Sequence, residues 1–247
     1  MSLHLFEFED QDWFPQVLRD YQTAFLAALA RYGGLYQSVP PTIPAVARIA
    51  DLASGAGDPA VLCTAALRKE GTVLELTDKF PHLDAPLRYG DKQGLSYRSE
   101  ALDILTDGWP QADCYVMFNA FHHFSPPERK HILHKLSKSG AELCVYEPLQ
   151  RDVLTALKVL LATLLGPFLL VPFIRPFSWR RLFFTYILPI GVFVTFWDGM
   201  VSVLRALSYR DIRALALQSS ELGISMSHST LQEPFARITY LRFSCTS

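Results

Sequence analysis

A short apolar segment that ends in a glycine-bearing turn most constrains what this chain can fold into. Residues 46–52 have the composition of a buried strand, and the turn Ala53-Ser54-Gly55-Ala56-Gly57 follows directly. A helix is predicted over 59–69, because proline suits the first turn of a helix. A strand that enters a helix through such a turn brings backbone N–H groups close to a ligand. The segment therefore predicts a ligand-binding α/β domain.

After the glycine-bearing turn, predicted strands and helices alternate regularly along the chain. Strands are predicted over 73–77, 95–97, 114–118 and 143–146, with an amphipathic helix over 126–137 between the last two. This order is typical of parallel βαβ units with right-handed crossovers. An apolar segment over 151–208 interrupts this alternation, and a further helix is then predicted over 209–220. Two closing strands are predicted over 224–228 and 236–244.

The chain length favours one domain with additions. A chain of 247 residues is long enough for one α/β domain and too short for two full ones. We therefore predict a single domain over 1–247. Residues 1–44 form an N-terminal helical cap, and residues 151–208 form an apolar helical insertion after the fifth strand.

Composition excludes several function classes. The formal net charge of −1 gives no electrostatic footprint for nucleic acid. The four cysteines are scattered without a CxxC pair, which is typical of reduced thiols in a cytoplasmic protein. The first residues have neither a basic segment nor an apolar core, so an export signal is not predicted.

Acidic residues near the glycine-bearing turn indicate the kind of ligand. The pattern Gly55-x-Gly57-x-x-Ala60 also fits a dinucleotide fingerprint. However, Asp51 precedes the turn, where a carboxylate suits a cationic amino-acid ligand and would repel a pyrophosphate. Asp78 ends the next strand at the spacing of a ribose-binding acid. Glu75 is the other candidate for the ribose-binding acid, but it falls inside that strand.

These motifs resemble those of class I S-adenosylmethionine-dependent methyltransferases. The resemblance rests on DLASGAG (51–57), LTD (76–78) and MFNAFHHF (117–124), and it covers roughly 45–150 and 209–245. It implies a doubly wound, mostly parallel seven-stranded sheet with an antiparallel C-terminal strand. It also implies S-adenosyl-L-methionine as cofactor, with Asp51 and Gly55 on the methionine part and Asp78 on the ribose. Ala53 departs from the family pattern, since a glycine usually stands there. The predicted cofactor-binding residues are Asp51, Ala53, Gly55, Gly57, Asp78, Leu102, Asp103, Asn119 and Ala120.

Two histidines follow the fourth strand, where open α/β sheets place their active sites. His122 and His123 are candidate general bases, because imidazole titrates near neutrality. The alternative is that both only shape the loop, and methyl transfer then depends on positioning alone. Phe121 is a candidate for contact with the substrate. His131 and His134 do not converge with carboxylates, so no metal site is predicted.

The insertion is unusually apolar. Residues 153–174 contain a single charge, Lys158, and residues 182–196 contain none. Three prolines, and arginines that would fall on the far side, make two full membrane spans the less favoured interpretation. Two alternatives remain open for 153–207: peripheral contact with the inner face of a membrane, or packing over the substrate or against a second subunit. Trp197 and Asp198 then interrupt the apolar run, and both are candidates for contact with the substrate. Asp198 either orients a polar group of the substrate or, as is slightly favoured, caps a helix that begins at Gly199.

The predicted function is S-adenosylmethionine-dependent methyl transfer to a hydrophobic small molecule or lipid-like acceptor, with O-methylation favoured. One alternative is an NAD(P)-dependent oxidoreductase that uses the same turn, although no Tyr-x-x-x-Lys pair stands in a suitable place. The other alternative is a non-catalytic protein that binds the cofactor or serves as a scaffold at a membrane.

Overall fold

The computed structural model describes residues 5–82, 84–89, 92 and 94–245. Seven strands lie within this part of the chain. They are β1 (Arg48–Asp51), β2 (Val73–Leu76), β3 (Leu95–Tyr97), β4 (Cys114–Phe118), β5 (Glu142–Glu147), β6 (Ile224–Gln232) and β7 (Arg237–Cys245).

Helices connect and flank these strands. Short 3-10 helices occur at Pro40–Thr42, Phe121–His123 and Val171–Phe173, and a π-helix at Phe183–Ile187. The α-helices are α1 (Gln16–Tyr32), α2 (Asp58–Cys63), α3 (Ala65–Lys69), α4 (Ala85–Tyr89), α5 (Pro126–Ser139), α6 (Val153–Leu170), α7 (Trp179–Leu182), α8 (Ile190–Arg205) and α9 (Tyr209–Glu221).

The strands form one sheet in the order β3-β2-β1-β4-β5-β7-β6. Strands β1 to β5 pair in parallel, β7 runs antiparallel to β5, and β6 pairs antiparallel with β7. The order reverses between β1 and β4, which creates the crevice in which such sheets bind ligands. The prediction of a mostly parallel, seven-stranded sheet with an antiparallel C-terminal strand is confirmed.

Apolar side chains cover both faces of the sheet. Strand β4 illustrates this, because Val116 faces a cluster with Ile49 and Leu74 while Met117 faces α5 through Leu133. All five residues of β4 are buried. A strand that is buried on both faces reads as a continuous apolar run, which is why its sequence predicted it clearly.

Several predicted boundaries differ from the structure; strand β6, for example, continues to Gln232 and does not end at residue 228. Strand β1 begins at Arg48, not at residue 46, because its pairing with β2 starts at Arg48 opposite Val73. The helix predicted over 59–69 is divided at Thr64, whose hydroxyl donates to the carbonyl of Ala60 at 2.8 Å. Such a bond from a threonine side chain to the preceding turn favours a bend.

The interpretation of Asp198 as a helix cap is wrong. Helix α8 runs from Ile190 to Arg205 without interruption, so Asp198 lies in its interior and is buried. Its carboxylate accepts hydrogen bonds from the backbone N–H groups of Phe8 and Glu9 at 2.7 and 3.1 Å and from Gln22 Nε2 at 2.8 Å. Asp198 therefore fixes the N-terminal segment to the insertion.

The insertion forms a helical layer with α1 beside the site. Helix α6 packs closely on α8, since a Cβ on Gly199 would lie 3.0 Å from both Thr163 Cγ2 and Val159 Cγ1. It also packs on α1, where Gly166 meets the ring of Phe25. Because glycine has no side chain, the helix axes can approach each other closely at these two positions.

Candidate active site

A cavity of about 1220 Å³ lies at the carboxyl ends of the central strands. Its walls come from the glycine-bearing turn, the loops after β2 and β4, helices α1 and α6, the β6–β7 connection and the N-terminal segment. Nine of the predicted site residues line it: Ala53, Gly55, Asp78, Leu102, Asp103, Asn119, Ala120, His123 and Asp198.

The glycine-bearing turn is held by the end of β2. The backbone N–H of Gly55 donates to Asp78 Oδ2 at 2.7 Å, and the backbone N–H of Ser54 donates to the carbonyl of Thr77 at 3.0 Å. Tyr97 supports the turn from behind, since its hydroxyl donates to the carbonyl of Gly55 at 2.8 Å. The turn is thus rigid before any ligand arrives.

Gly57 does not line the cavity, so its predicted contact with the cofactor is not seen. Its φ of +84° is a left-handed conformation, and an added Cβ would lie 2.7 Å from Leu76 Cδ1. Tyr89 would also be within 3.0 Å of that Cβ. Gly57 is required for the chain to pass over β2, and it acts on the site only through the shape of the turn.

Two buried carboxyl groups lie at the turn. Asp78 lines the cavity, whereas Asp51 lies at the end of β1 just beneath the wall. Burial raises the pKa of Asp78 and raises that of Asp51 well above its ordinary value, and the proximity of the two carboxyls raises the pKa of Asp51 further. Such a site favours a ligand with positive charge and disfavours a pyrophosphate.

Asn119 offers a free acceptor in the same wall. It has a φ of +53°, which is uncommon for a residue with a side chain. Its Oδ1 is buried and has no hydrogen-bond partner among the residues that the structure describes. A strained residue with an unpaired acceptor in the cavity wall suits an ammonium or hydroxyl donor on a ligand.

The loop after β3 forms the side wall. Leu102 is buried there, and its backbone N–H donates to the carbonyl of Asp78 at 2.9 Å. The carboxylate of Asp103 accepts from the backbone N–H of Leu105 at 2.9 Å and lies 3.4 Å from Lys79 Nζ. Asp103 therefore shapes its own loop as well as facing the cavity.

His122 lies behind the wall and not in it. It is fully buried, and its Nδ1 donates to Glu147 Oε2 at 2.8 Å. The backbone N–H of His122 donates to the other oxygen of Glu147 at 3.1 Å. Although burial by itself would raise the pKa of Glu147, the neighbouring His122 holds it below the ordinary value. The prediction that His122 faces the substrate as a base does not fit this position.

His123 lines the cavity but is surrounded by carboxylates. Its Nδ1 lies 2.6 Å from Glu7 Oε2 and 2.9 Å from Asp10 Oδ1, and Arg205 contacts the same two acids. Burial would lower the pKa of His123, but Glu7 and Asp10 raise it well above the ordinary value. An imidazolium cannot accept a proton, so His123 is better suited to holding the N-terminal segment than to acting as a base.

The same cluster has the composition of a metal site. One ligand atom each from Glu7, His122 and His123 lies within 4.8 Å of the others. However, Glu7 and His123 already pair with each other, and Arg205 also contacts Glu7. Because cations of the protein itself neutralise these acids, we interpret the cluster as an ionic contact between the N-terminal segment and the loop after β4.

Sequence reasoning missed the N-terminal segment as a wall of the site. Glu9 and Asp10 line the cavity, and Arg19 holds the segment by donating to the carbonyls of Glu9 and Gln11 at 3.1 and 2.7 Å. The signal was present in the sequence as three acids within residues 7–10. Their partners lie far along the chain, so spacing alone did not reveal them.

Two predicted substrate contacts are wrong. Phe121 is fully buried in the core, where its ring lies 6.3 Å from that of Phe243. Trp197 lies outside the cavity wall, and its Nε1 donates to the carbonyl of Phe6 at 3.1 Å. The apolar part of the wall comes from Leu26, Val159 and Ala162 instead.

Solved methyltransferase structures are similar to this chain. Human N-acetylserotonin methyltransferase, solved with S-adenosylmethionine, matches with a TM-score of 0.56 at 16% identity over 91% of this chain and 56% of that one. The pyocyanin biosynthetic protein PhzM matches with 0.55 at 12% identity over 90% and 57%. The O-methyltransferase NcsB1 from neocarzinostatin biosynthesis, solved with S-adenosylmethionine and 2-hydroxy-5-methyl naphthoic acid, matches with 0.53 at 13% identity over 88% and 55%.

These likenesses establish the fold. No protein-family model matches the sequence, and no curated protein matches it. The chain spans little more than half the length of the three solved structures. It has the class I S-adenosylmethionine-dependent methyltransferase fold, as the sequence motifs predicted.

Proposed function

We propose that this protein is an enzyme that transfers a methyl group from S-adenosyl-L-methionine to an oxygen of a hydrophobic small molecule or lipid-like acceptor. The observation that carries the proposal is the glycine-bearing turn bonded to Asp78, with the carboxyl of Asp51 beneath it. Two buried carboxyls at one turn suit a cationic ligand. They oppose the pyrophosphate that the oxidoreductase alternative requires.

The residues of the cavity fit this cofactor one by one. Asp78 Oδ1 and Oδ2 each accept one backbone N–H, from Phe80 at 2.8 Å and Gly55 at 2.7 Å, and a carboxylate retains capacity for two ribose hydroxyls. The unpaired Oδ1 of Asn119 suits the ammonium of the methionine part. Leu102 and Asp103 provide a wall for the adenine. When bound, the cofactor supplies a methyl group on a cationic sulfur.

The rest of the cavity suits an apolar acceptor. Its wall beside α6 and α1 is formed by Leu26, Val159, Ala162 and other apolar residues. The solved structures support an aromatic acceptor by analogy, since the name of one includes N-acetylserotonin and another was solved with a naphthoic acid. A pocket of this kind holds its ligand by shape, with few polar groups to fix orientation.

We assign the removal of the acceptor proton to Glu9. Its side chain lines the cavity, with Oε1 3.5 Å from His123 Nε2. Burial raises the pKa of Glu9 to about 8, against a partial opposing effect of His123. A base with a pKa near the working pH is well matched to its task. With the cofactor and acceptor bound, the carboxylate of Glu9 would take the proton of the acceptor hydroxyl.

Calorimetry tests the cofactor, with NAD and NADP as controls. We expect S-adenosylhomocysteine to bind saturably and the nicotinamide dinucleotides not to bind. Binding of NAD or NADP alone would overturn the proposal. With labelled S-adenosylmethionine, phenols, aromatic acids and hydroxylated lipids are then screened as acceptors. Cofactor binding without transfer to any of them would favour the alternative of a non-catalytic binding protein.

A further inference from the structure

One side of the insertion carries a broad apolar surface that is mostly exposed. We name it the α6–α7 face. Large apolar side chains there remain mostly outside the core, including Leu169 at 67% exposed, Phe173 at 65%, Trp179 at 77% and Ile187 at 73%. A monomeric protein in water seldom leaves such a large patch uncovered.

Helix α6 supplies the centre of this face. The stretch Val153–Phe173 has a mean hydropathy of 2.1, yet only 11% of it is buried. A core helix of similar composition would be mostly buried. Its inner side is fixed by the close contacts of α8 at Gly199 and of α1 at Gly166, so α6 lies along the domain and does not leave it. This geometry suits a helix that lies in a membrane surface, not one that crosses it.

The insertion itself contributes charges of one sign to this face. No Asp or Glu stands between Asp152 and Asp198, whereas Lys158, Arg175, Arg180 and Arg181 do. Arg181 is buried against Asp84, but Arg175 and Arg180 are exposed and form no ion pair with the described residues. The exposed ring of Trp179 lies between these two arginines in sequence and packs edge-on against Phe177.

We propose that the α6–α7 face docks on the surface of an anionic lipid bilayer. Exposed apolar side chains enter the acyl region, while Arg175 and Arg180 meet the lipid phosphates at the level where Trp179 is favoured. A second copy of the chain fits the α6–α7 face less well than a bilayer does. An interface of this face with itself would bury arginines without any acid to pair with them.

Docking would also place the acceptor cavity next to the lipid. Val159 and Ala162 of α6 line the cavity, while Leu157 and Leu165 of the same helix are exposed on the far side. One helix thus separates the apolar half of the cavity from the docking face. The consequence that the acceptor is taken from the bilayer rests on the proposed function, whereas docking itself does not.

Vesicle co-sedimentation tests the docking. The full chain is mixed with vesicles of phosphatidylcholine alone or of phosphatidylcholine with phosphatidylglycerol, and we expect binding mainly to the second. Leu169→Glu should weaken that binding about tenfold or more, because an acyl-buried leucine is replaced by a charge. The combined Arg175→Glu and Arg180→Glu variant should weaken it about fivefold for each cation removed.

Two matched variants on α9 control for exposure and charge. Leu217 is 63% exposed and Arg213 is exposed, both outside the α6–α7 face. Leu217→Glu and Arg213→Glu should bind anionic vesicles like the wild type. Affinity for S-adenosylhomocysteine, measured in all variants, reports folding and tests the cofactor separately. No sedimentation of the wild type, or equal sedimentation of Leu169→Glu, would overturn the proposal. A wild-type dimer that Leu169→Glu dissociates, without vesicle binding, would assign the face to a second copy instead.

Discussion

The carboxylate of Asp78 accepts a hydrogen bond of 2.7 Å from the backbone N–H of Gly55, across 23 residues of sequence. This contact joins the end of β2 to the turn after β1, which are neighbouring parallel strands. One side chain therefore fixes the turn and also presents an acceptor to the cavity. The shape of the turn and the recognition of a ribose depend on the same residue.

Replacement of Asp78 should weaken cofactor binding more than it destabilises the fold. Asp78→Ala removes a buried acceptor worth about 1–3 kcal/mol, so affinity for S-adenosylhomocysteine should fall about 10- to 100-fold by calorimetry. Asp113→Ala is the control, since Asp113 lies half-buried at the opposite end of the sheet and pairs with Arg48. Equal affinity of Asp78→Ala and wild type would contradict the assignment of Asp78 to the ribose.

Gly57 offers a test of steric constraint in the turn. Gly57→Ala combines left-handed strain of about 1–2 kcal/mol with overpacking of about 1–3 kcal/mol against Leu76. Gly71→Ala is the matched control, because Gly71 also has a positive φ but no atom within 4 Å of an added Cβ. Urea unfolding should show the larger loss for Gly57→Ala. Equal losses would mean that backbone strain alone matters.

The buried pair of His122 and Glu147 should behave as a structural unit. His122→Ala leaves the Glu147 carboxylate buried without its main partner, so the free energy of unfolding should fall by about 3–5 kcal/mol. The double variant with Glu147→Gln should lose clearly less than the sum of the two single variants. Strict additivity in urea titrations would show that the two side chains do not depend on each other.

His123 gives a pH dependence with a defined sign. Its pKa in the folded protein lies well above its ordinary 6.5, so its stabilisation is complete below about pH 6.5 and is lost as pH rises. The pKa values of Glu7 and Asp10 are lowered despite burial, mainly by His123, so their stabilisation is lost as pH falls below about 4.5. Thermal unfolding should show a decline in stability from pH 6.5 upward that His123→Gln reduces. The same decline in both proteins would refute this role.

Glu9 should control turnover and not cofactor affinity. If it is the base, kcat rises with pH through about 8 and then levels, as the carboxyl loses its proton. Glu9→Gln should lower kcat by on the order of 100-fold with unchanged affinity for S-adenosylhomocysteine. Glu233→Gln is the control, because Glu233 also lines the cavity but accepts from Ser38. A Glu9→Gln variant as fast as wild type would leave positioning alone as the mechanism.

The sheet could be predicted from sequence because its signals are local. Strand β4 is a short apolar run with no polar interruption, and the turn at Gly55 and Gly57 marks the junction of β1 and the next helix. Residues at the ends of adjacent parallel strands meet at one edge, so Asp78 and Asn119 could be assigned to one cavity in advance.

The rest of the site depends on contacts that no local pattern encodes. His122 and His123 are adjacent in sequence, yet one pairs with Glu147 behind the wall and the other pairs with Glu7 of the N-terminal segment. Similarly, Asp198 looks like a cap because a glycine follows it, but its partners are the backbone N–H groups of Phe8 and Glu9. Only the folded chain distinguishes these alternatives.

The bond from Phe8 N–H to Asp198 also bears on how the protein is made. The two residues are 190 positions apart, so during synthesis the N-terminal segment lacks its contacts with Asp198 until most of the chain has left the ribosome. The core of the sheet can form earlier, since β1 to β5 pair within the first 147 residues. The cavity therefore closes after the parallel strands can pair, and a nascent chain should hold the five strands β1 to β5 before it acquires a working site.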